Sequence, residues 1–382
     1  MTKKELNTPC YIISEADLKR NLAILEGVRK RTGCKILLAQ KCFSMYHVYP
    51  LIGQYLDGLT ASGLYEARLG FEEMRKENHI FSPAYTEKEF PQILEYCDHF
   101  VFNSFAQAEK FGSLVKAAGK SAGIRVNPEC STQEGHAIYD PCAPGSRLGV
   151  LAEEFPEHLP DYIEGLHFHT LCEQDAADLS VTLAAFEEKF APWLTHLKWI
   201  NFGGGHHITR EGYDLALLES CIRHAKETYG VEVYLEPGEA VALNAGELMT
   251  TVIDVVHTGH GQTKESKDGI AILDASAACH MPDVIEMPYR PPLFDSGESN
   301  EKQYTYLLAG PTCLAGDRIG SYSFDKKLEP GDRLLFQDMA IYTMVKTNTF
   351  NGMALPDIVW QKEDGTCQIV RHFNYEDFKG RL

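Results

Sequence analysis

Between residues 35 and 238, short apolar runs alternate with longer stretches whose apolar residues recur at helical spacing. That alternation predicts repeated β-α units around a parallel sheet. The runs cover 35–41, 58–62, 79–84, 99–103, 123–127, 165–169, 199–202 and 231–236, and eight strands is the number that closes a (β/α)8 barrel of TIM type. Helical patterns fill the intervals, most clearly at 176–194 and 213–229. Ahead of the first strand, Ser14 and Asp17 have the spacing of a capping box, opening a helix with Leu18, Leu22, Leu25 and Val28 on one face.

Beyond residue 241 the texture changes to short apolar and period-two runs at 251–256, 270–274, 304–308, 333–336, 341–345 and 368–371, separated by turn-rich stretches. The expected class is therefore α/β, with a barrel over 16–240 and a second, mostly β domain, a barrel or sandwich, built from 1–15 and 241–382. A chain of 382 residues exceeds one typical core, which agrees with two domains. The polar loop 294–303 reads as flexible.

Composition narrows the function classes. With 44% hydrophobic and 24% charged residues the chain reads as a soluble globular protein. A formal net charge of −18 disfavours nucleic acid and anionic membrane as partners and favours a cationic substrate. Residues 1–9 have no apolar signal-like core and no stretch is long enough to span a bilayer, so a cytosolic protein is expected. Eleven cysteines, an odd number without a CxxC pair, read as reduced thiols. The histidine pairs His206-His207 and His257 with His260 lack the spacing and carboxylate partner of a hydrolytic zinc site, so no metal is expected.

In a parallel barrel every strand finishes on one face, where such folds place their chemistry. The residues expected there are Lys41, Ser62, Asn103, Asn127, His169, Gly203, Gly204, Gly205 and Glu236. A lysine at the inner end of a buried strand is desolvated and becomes a nucleophile able to form a Schiff base with an aldehyde; the alternative is a strand-end lysine that snorkels to solvent. The three glycines let successive N–H groups converge on a phosphate at the turn into a helix, or simply make a tight turn at positive φ. They match neither GxGxxG nor GxxxxGK[ST], which disfavours a dinucleotide or nucleoside triphosphate. Glu236, ahead of Pro237-Gly238, can hold a proton on a pyridine nitrogen or be a surface carboxylate before a turn. His169 can stack on a flat ring or be a core histidine. A phosphate loop, a Schiff-base lysine and a carboxylate for a ring nitrogen together specify pyridoxal 5′-phosphate.

The motifs Gln40-Lys41, Ala61-Ser62-Gly63-Leu64-Tyr65-Glu66, Gly165-Leu166-His167-Phe168-His169, Gly203-Gly204-Gly205, Glu236-Pro237-Gly238, Gly310-Pro311-Thr312-Cys313, and Tyr342 ahead of Phe350-Asn351-Gly352 run nearly the whole length. In this order and spacing the chain resembles the alanine-racemase-like, fold type III decarboxylases that use pyridoxal phosphate. The stretches 274–283 and 347–352 look most like members of that family that act on carboxylated triamines such as carboxynorspermidine or carboxyspermidine.

The resemblance implies that Lys41 bonds the cofactor, His169 stacks on its ring, Glu236 meets the pyridine nitrogen, and Gly203 to Gly205 with Tyr342 hold the phosphate. Cys313 would guide protonation from the second subunit of a head-to-tail homodimer; an inert buried thiol is the alternative. Two positions depart from the family pattern. Glu239 stands where many relatives have arginine, and Leu314 follows the cysteine where an acid is common, with Asp317 three positions on. Glutamate rather than arginine at the ring nitrogen argues for decarboxylation over racemisation. Glu239 and Asp274, with Cys313 and Asp317, are the expected contacts for a small cationic carboxylated polyamine, unless the acids are solvated surface charges. The rival readings are a decarboxylase of diaminopimelate or ornithine, a racemase, a cofactor-storage protein and a non-catalytic binding protein of the same fold.

Overall fold

A computed structural model of the chain describes residues 1–134, 137–257 and 263–382. They fall into two compact units, Arg20–Val241 and Met1–Lys19 with Ala242–Leu382. The chain opens with strand β1 (Cys10–Ser14) and helix α1 (Glu15–Thr32). Ser14 Oγ accepts the Asp17 N–H at 3.3 Å, so the serine caps the helix start.

The first unit is the (β/α)8 barrel. Its strands are β2 (Lys35–Ala39), β3 (Gly58–Ala61), β4 (Glu77–Phe81), β5 (His99–Phe102), β6 (Ser121–Val126), β7 (Ile163–Phe168), β8 (Trp199–Asn201) and β9 (Glu232–Leu235). Each pairs in parallel with the next, and β9 returns to β2 to close the ring. Strands covered on both faces are apolar without interruption, which is why these runs stand out in the sequence; β6 is buried at every position. Leu37, Val101, Trp199 and Tyr234 pack together inside the ring with Phe81 against them. Trp199 is admitted because residue 165 is glycine, where a Cβ would lie 2.0 Å from the indole. Helices α2 (Tyr49–Tyr55), α3 (Leu64–Glu73), α4 (Phe90–Tyr96), α5 (Phe105–Ala117), α6 (Ala176–Leu194) and α7 (Leu215–Tyr229) lie between strands. In α6 the buried Leu179, Leu183, Phe186, Phe190 and Leu194 form one stripe at helical spacing.

The second unit joins β1 to β10 (Gly246–Val256), β11 (Gly269–Leu273), β12 (Tyr304–Ala309), β13 (Arg318–Phe324), β14 (Arg333–Gln337), β15 (Asp357–Gln361) and β16 (Cys367–Arg371). They form one mixed sheet in the order β13-β12-β11-β10-β1-β15-β16, with β14 also on β10. Its core holds Tyr11, Leu248, Val252, Leu273, Leu308, Tyr322 and Phe336. A TIM barrel with a separate β-rich domain is the expected fold class.

Several details differ from expectation. The run 341–345 is turn rather than strand: Tyr342 has φ 54°, and the Lys346 N–H returns to the Tyr342 carbonyl at 3.0 Å. The loop 294–303 is tied down, because Gly297 and Ser323 exchange backbone hydrogen bonds of 2.9 and 3.1 Å and Ser323 Oγ accepts the Lys302 N–H. All eleven cysteines are free. Among the described residues no helix is long and apolar enough to cross a membrane.

Candidate active site

The strands of the closed parallel ring end on one face, and the expected residues follow those ends directly: Ser62 after β3, Asn103 after β5, Asn127 after β6, His169 after β7 and Glu236 after β9. Lys41, His169 and Glu236 come together in one pocket, lined also by Ala39, Thr60, Ala61, Ser62, Phe81, Arg125 and His167. Asn103 and Asn127 serve loops instead. Asn103 binds the Arg147 carbonyl and the Gly149 N–H, and Asn127 Oδ1 accepts the Glu129 N–H at 2.8 Å.

Lys41 corrects part of the sequence argument. It lies two residues past β2 and is exposed, while Ala39 and Gln40 before it are buried. Desolvation by the strand is therefore not what prepares this amine; position is, since it shares the pocket with Glu236 and the two histidines.

Glu236 is 6% exposed. Its Oε1 accepts from Asn201 Nδ2 at 2.8 Å and its Oε2 from His167 Nε2 at 3.2 Å. Burial alone would raise its pKa, but His167, His79 and the Asn201 amide outweigh burial and lower it, so the group is a carboxylate. Burial pushes His167 down, which makes it a neutral imidazole donating its Nε2–H. Its Nδ1 has no hydrogen-bond partner among the described residues, as fits the lone pair of that tautomer. Each carboxylate oxygen takes one neutral donor and has capacity for another. An ionised buried acid with that spare capacity fits a protonated ring nitrogen.

The glycine loop works differently from the expectation. The Gly203 N–H goes to Asn201 Oδ1 at 2.8 Å and the Gly204 N–H to His169 Nδ1 at 3.0 Å. Two of the three donors thus fix side chains, which leaves the Gly205 N–H for an anion. No helix starts here, because α7 begins only at Leu215. The residues must be glycine for another reason: Gly203 and Gly205 have φ of 69° and 82°, and a Cβ on Gly205 would lie 2.0 Å from the Leu171 carbonyl oxygen. His169, neutral because burial and the nearby Lys41 and Arg125 charges push its pKa well down, is held ring-first by Gly204.

The acids expected to meet substrate are mostly engaged elsewhere. Asp274, in the second unit, accepts from Thr250 Oγ1 and the Thr251 N–H with one oxygen and from Thr8 Oγ1 with the other. Asp317, 2% exposed, accepts from Ser276 Oγ, Thr312 Oγ1 and the Ala278 N–H. Both fasten their own sheet unit, with Asp317 holding the turn that leads to Cys313. Glu239, in the barrel unit, is buried and bonded to His207 Nε2 at 2.8 Å, so it is not a solvated surface charge. Cys313 is exposed, which removes the buried-thiol alternative, and its N–H donates to Asn351 Oδ1 at 2.8 Å. Tyr342 lies in the second unit at a turn.

Three groups among the described residues bring histidine and carboxylate atoms close enough to share a cation: Glu77, His79 and His99; His167, His169 and Glu236; Glu173, His207 and Glu239. In the first, Glu77 already accepts from His79, Tyr234 and Lys35. His260 lies outside the described residues.

Sequence reasoning passed over Arg125, His167 and Asn201. Arg125 is a lone charge in an otherwise apolar strand, a signal present in the sequence. Burial lowers its pKa to about 10, it stays charged, and its guanidinium sits 4.5 Å from the Phe81 ring centre. His167 and Asn201 carry no such signal, because their partner Glu236 lies 69 and 35 residues further along the chain.

A family model described as "Pyridoxal-dependent decarboxylase, C-terminal sheet domain" matches residues 10–340. The chain belongs to the pyridoxal-dependent decarboxylase family. Among decarboxylases similar to it, a carboxynorspermidine/carboxyspermidine decarboxylase from Campylobacter jejuni subsp. jejuni is 42% identical, with 100% of each chain covered. A carboxyaminopropylagmatine decarboxylase from Synechocystis is 39% identical, covering 99% of this chain and 96% of that one. The crystal structure of a Campylobacter jejuni carboxynorspermidine decarboxylase complexed with norspermidine superposes with a TM-score of 0.91 at 42% identity, covering 99% of this chain and 100% of the other. The protein is thus a decarboxylase that uses pyridoxal phosphate, and Lys41, Glu236 and His169 are the barrel residues whose geometry suits that cofactor.

Proposed function

We propose that this decarboxylase converts carboxynorspermidine, carboxyspermidine or both into the corresponding triamine, within polyamine biosynthesis. The full-length 42% identity to a decarboxylase of those compounds carries the reading. The buried, ionised Glu236 in one pocket with Lys41 supports the chemistry.

Pyridoxal phosphate, when bound, supplies an aldehyde for the substrate amine and a protonated ring that accepts the electron pair left as carbon dioxide departs. The protein does the rest. Lys41 holds the aldehyde end. Glu236, fixed by Asn201 and His167, keeps the proton on the ring nitrogen. His169 offers a flat face whose orientation Gly204 fixes, and Gly205 contributes an N–H to the phosphate. The assignments of Tyr342 to the phosphate and of Cys313, from the second subunit of a homodimer, to protonation rest on motif position. The cofactor-binding role of 16–240 rests on its strand-end residues, and a cytosolic location is part of the same reading, in keeping with the lack, among the described residues, of a helix long and apolar enough to cross a membrane.

Glu239 is the acid assigned first to a distal amine, with Asp274 and Asp317 as further substrate contacts of the same reading. It occupies a family arginine position, is buried, and shares its charge only with His207 among the hydrogen bonds described. A buried carboxylate favours a substrate that brings a cation to it. The 39% identity to a carboxyaminopropylagmatine decarboxylase makes that guanidino compound the second reading.

A panel measuring carbon dioxide release from carboxynorspermidine, carboxyspermidine, carboxyaminopropylagmatine, ornithine and diaminopimelate decides among these. The carboxylated triamines should exceed ornithine and diaminopimelate in kcat/KM by about 100-fold or more. Equal turnover of ornithine would remove the reading, and preference for the guanidino compound would replace it with the second.

A further inference from the structure

Asn201 ends β8 with no exposed surface, between the carboxylate and the glycine loop. Its Oδ1 accepts the Gly203 N–H at 2.8 Å, and its Nδ2 donates to Glu236 Oε1 at 2.8 Å. A backbone N–H can only donate. Gly203 therefore draws the amide oxygen toward itself and leaves the NH2 group facing the carboxylate, so the orientation of the amide is dictated by its partners. Residue 203 has to be glycine, because its φ is 69° and a Cβ would lie 2.7 Å from the Phe168 carbonyl oxygen. The chain of contacts thus runs from a tight, closely packed turn, through one side chain, to the acid.

We propose that Asn201 is a positioning residue that takes its orientation from the glycine loop and sets the Glu236 carboxylate for the ring nitrogen of the cofactor. The proposal rests on the reading that Glu236 meets that nitrogen. Without the amide, Oε1 has no hydrogen-bond donor and Glu236 is anchored by His167 alone, so the carboxylate rotates and its charge is less well held. Only a ligand that makes the nitrogen contact will feel this loss. Effects transmitted through the phosphate end or through the stability of the barrel act on every ligand with the same aldehyde and phosphate.

The test compares dissociation constants of the apoprotein for pyridoxal 5′-phosphate and for 1-deazapyridoxal 5′-phosphate, in which carbon replaces the ring nitrogen, by equilibrium dialysis. The natural chain should favour the nitrogen-containing cofactor by about tenfold or more, the size of a hydrogen bond to a charged group. In Asn201→Leu, which keeps the size of the side chain and removes both polar contacts, that ratio should fall toward one while the deaza analogue still binds. Asn201→Ala gives the same reading should the leucine variant not fold, and binding of the deaza analogue itself reports a folded barrel. A ratio undiminished in both variants overturns the role of Asn201 and leaves that of Glu236 standing. A ratio near one in the natural chain overturns the Glu236 reading instead.

Discussion

Glu236 carries its charge inside the barrel against two neutral donors, Asn201 and His167. Removing the charge while keeping the shape isolates what it does. Glu236→Gln should lower kcat by about 100-fold, because an amide cannot keep the ring nitrogen protonated as a carboxylate does. KM should change much less, and steady-state kinetics on the best substrate of the panel checks both. At this scale the sequence was partly legible. Lys41, His169 and Glu236 announce themselves as polar residues ending apolar runs. His167 and Asn201 do not, since a buried polar group is explained only by its partner, and theirs lies 69 and 35 residues further along the chain. Lys41 was found for a reason that does not hold: the lysine is exposed, and what singles it out is the company in its pocket.

Among the elements, the loop after β8 is the most constrained. Gly205→Ala would place a methyl group 2.0 Å from the Leu171 carbonyl oxygen at a φ of 82°. The substitution should cost about 3 kcal/mol of stability and shift the urea midpoint accordingly, with loss of bound cofactor, because the turn must open to relieve the contact. The triplet was legible as glycine-requiring, but where its N–H groups point was not, since that depends on His169 arriving from the neighbouring β7 and on how the Asn201 amide at the end of β8 turns. The barrel strands themselves were readable because both their faces are covered. In the sheet unit the signal weakens. In β13, Arg-Ile-Gly-Ser-Tyr-Ser-Phe mixes polar and apolar positions, and β1 is five residues merged with the helix that follows. The run 341–345 misled for the opposite reason, being apolar and β-branched yet bent by Tyr342 in a left-handed conformation.

Over the whole molecule, acid sensitivity follows from buried histidines. Burial lowers the pKa of His99 to about 2 and those of His206 and His280 to about 4. In the unfolded chain each protonates near 6.5, so between there and the folded values the unfolded state binds more protons. The resulting stability is fully present above that pH and is lost as pH falls, by about 2 kcal/mol per histidine on reaching pH 5. Urea unfolding midpoints should therefore be clearly lower at pH 5 than at pH 7.5; equal midpoints would show that these rings are solvated. A net charge of −18 also suits a cationic substrate, and kcat/KM for a carboxylated triamine should fall as salt is raised. The most direct measurement concerns the pairing of this barrel with its cofactor. The protein loaded with pyridoxal phosphate is reduced with borohydride, digested, and its peptides sequenced by mass spectrometry. One pyridoxyl group on Lys41, absent from Lys41→Ala, is the expected result; a label on another lysine, or none at all, would contradict the assignment of this pocket.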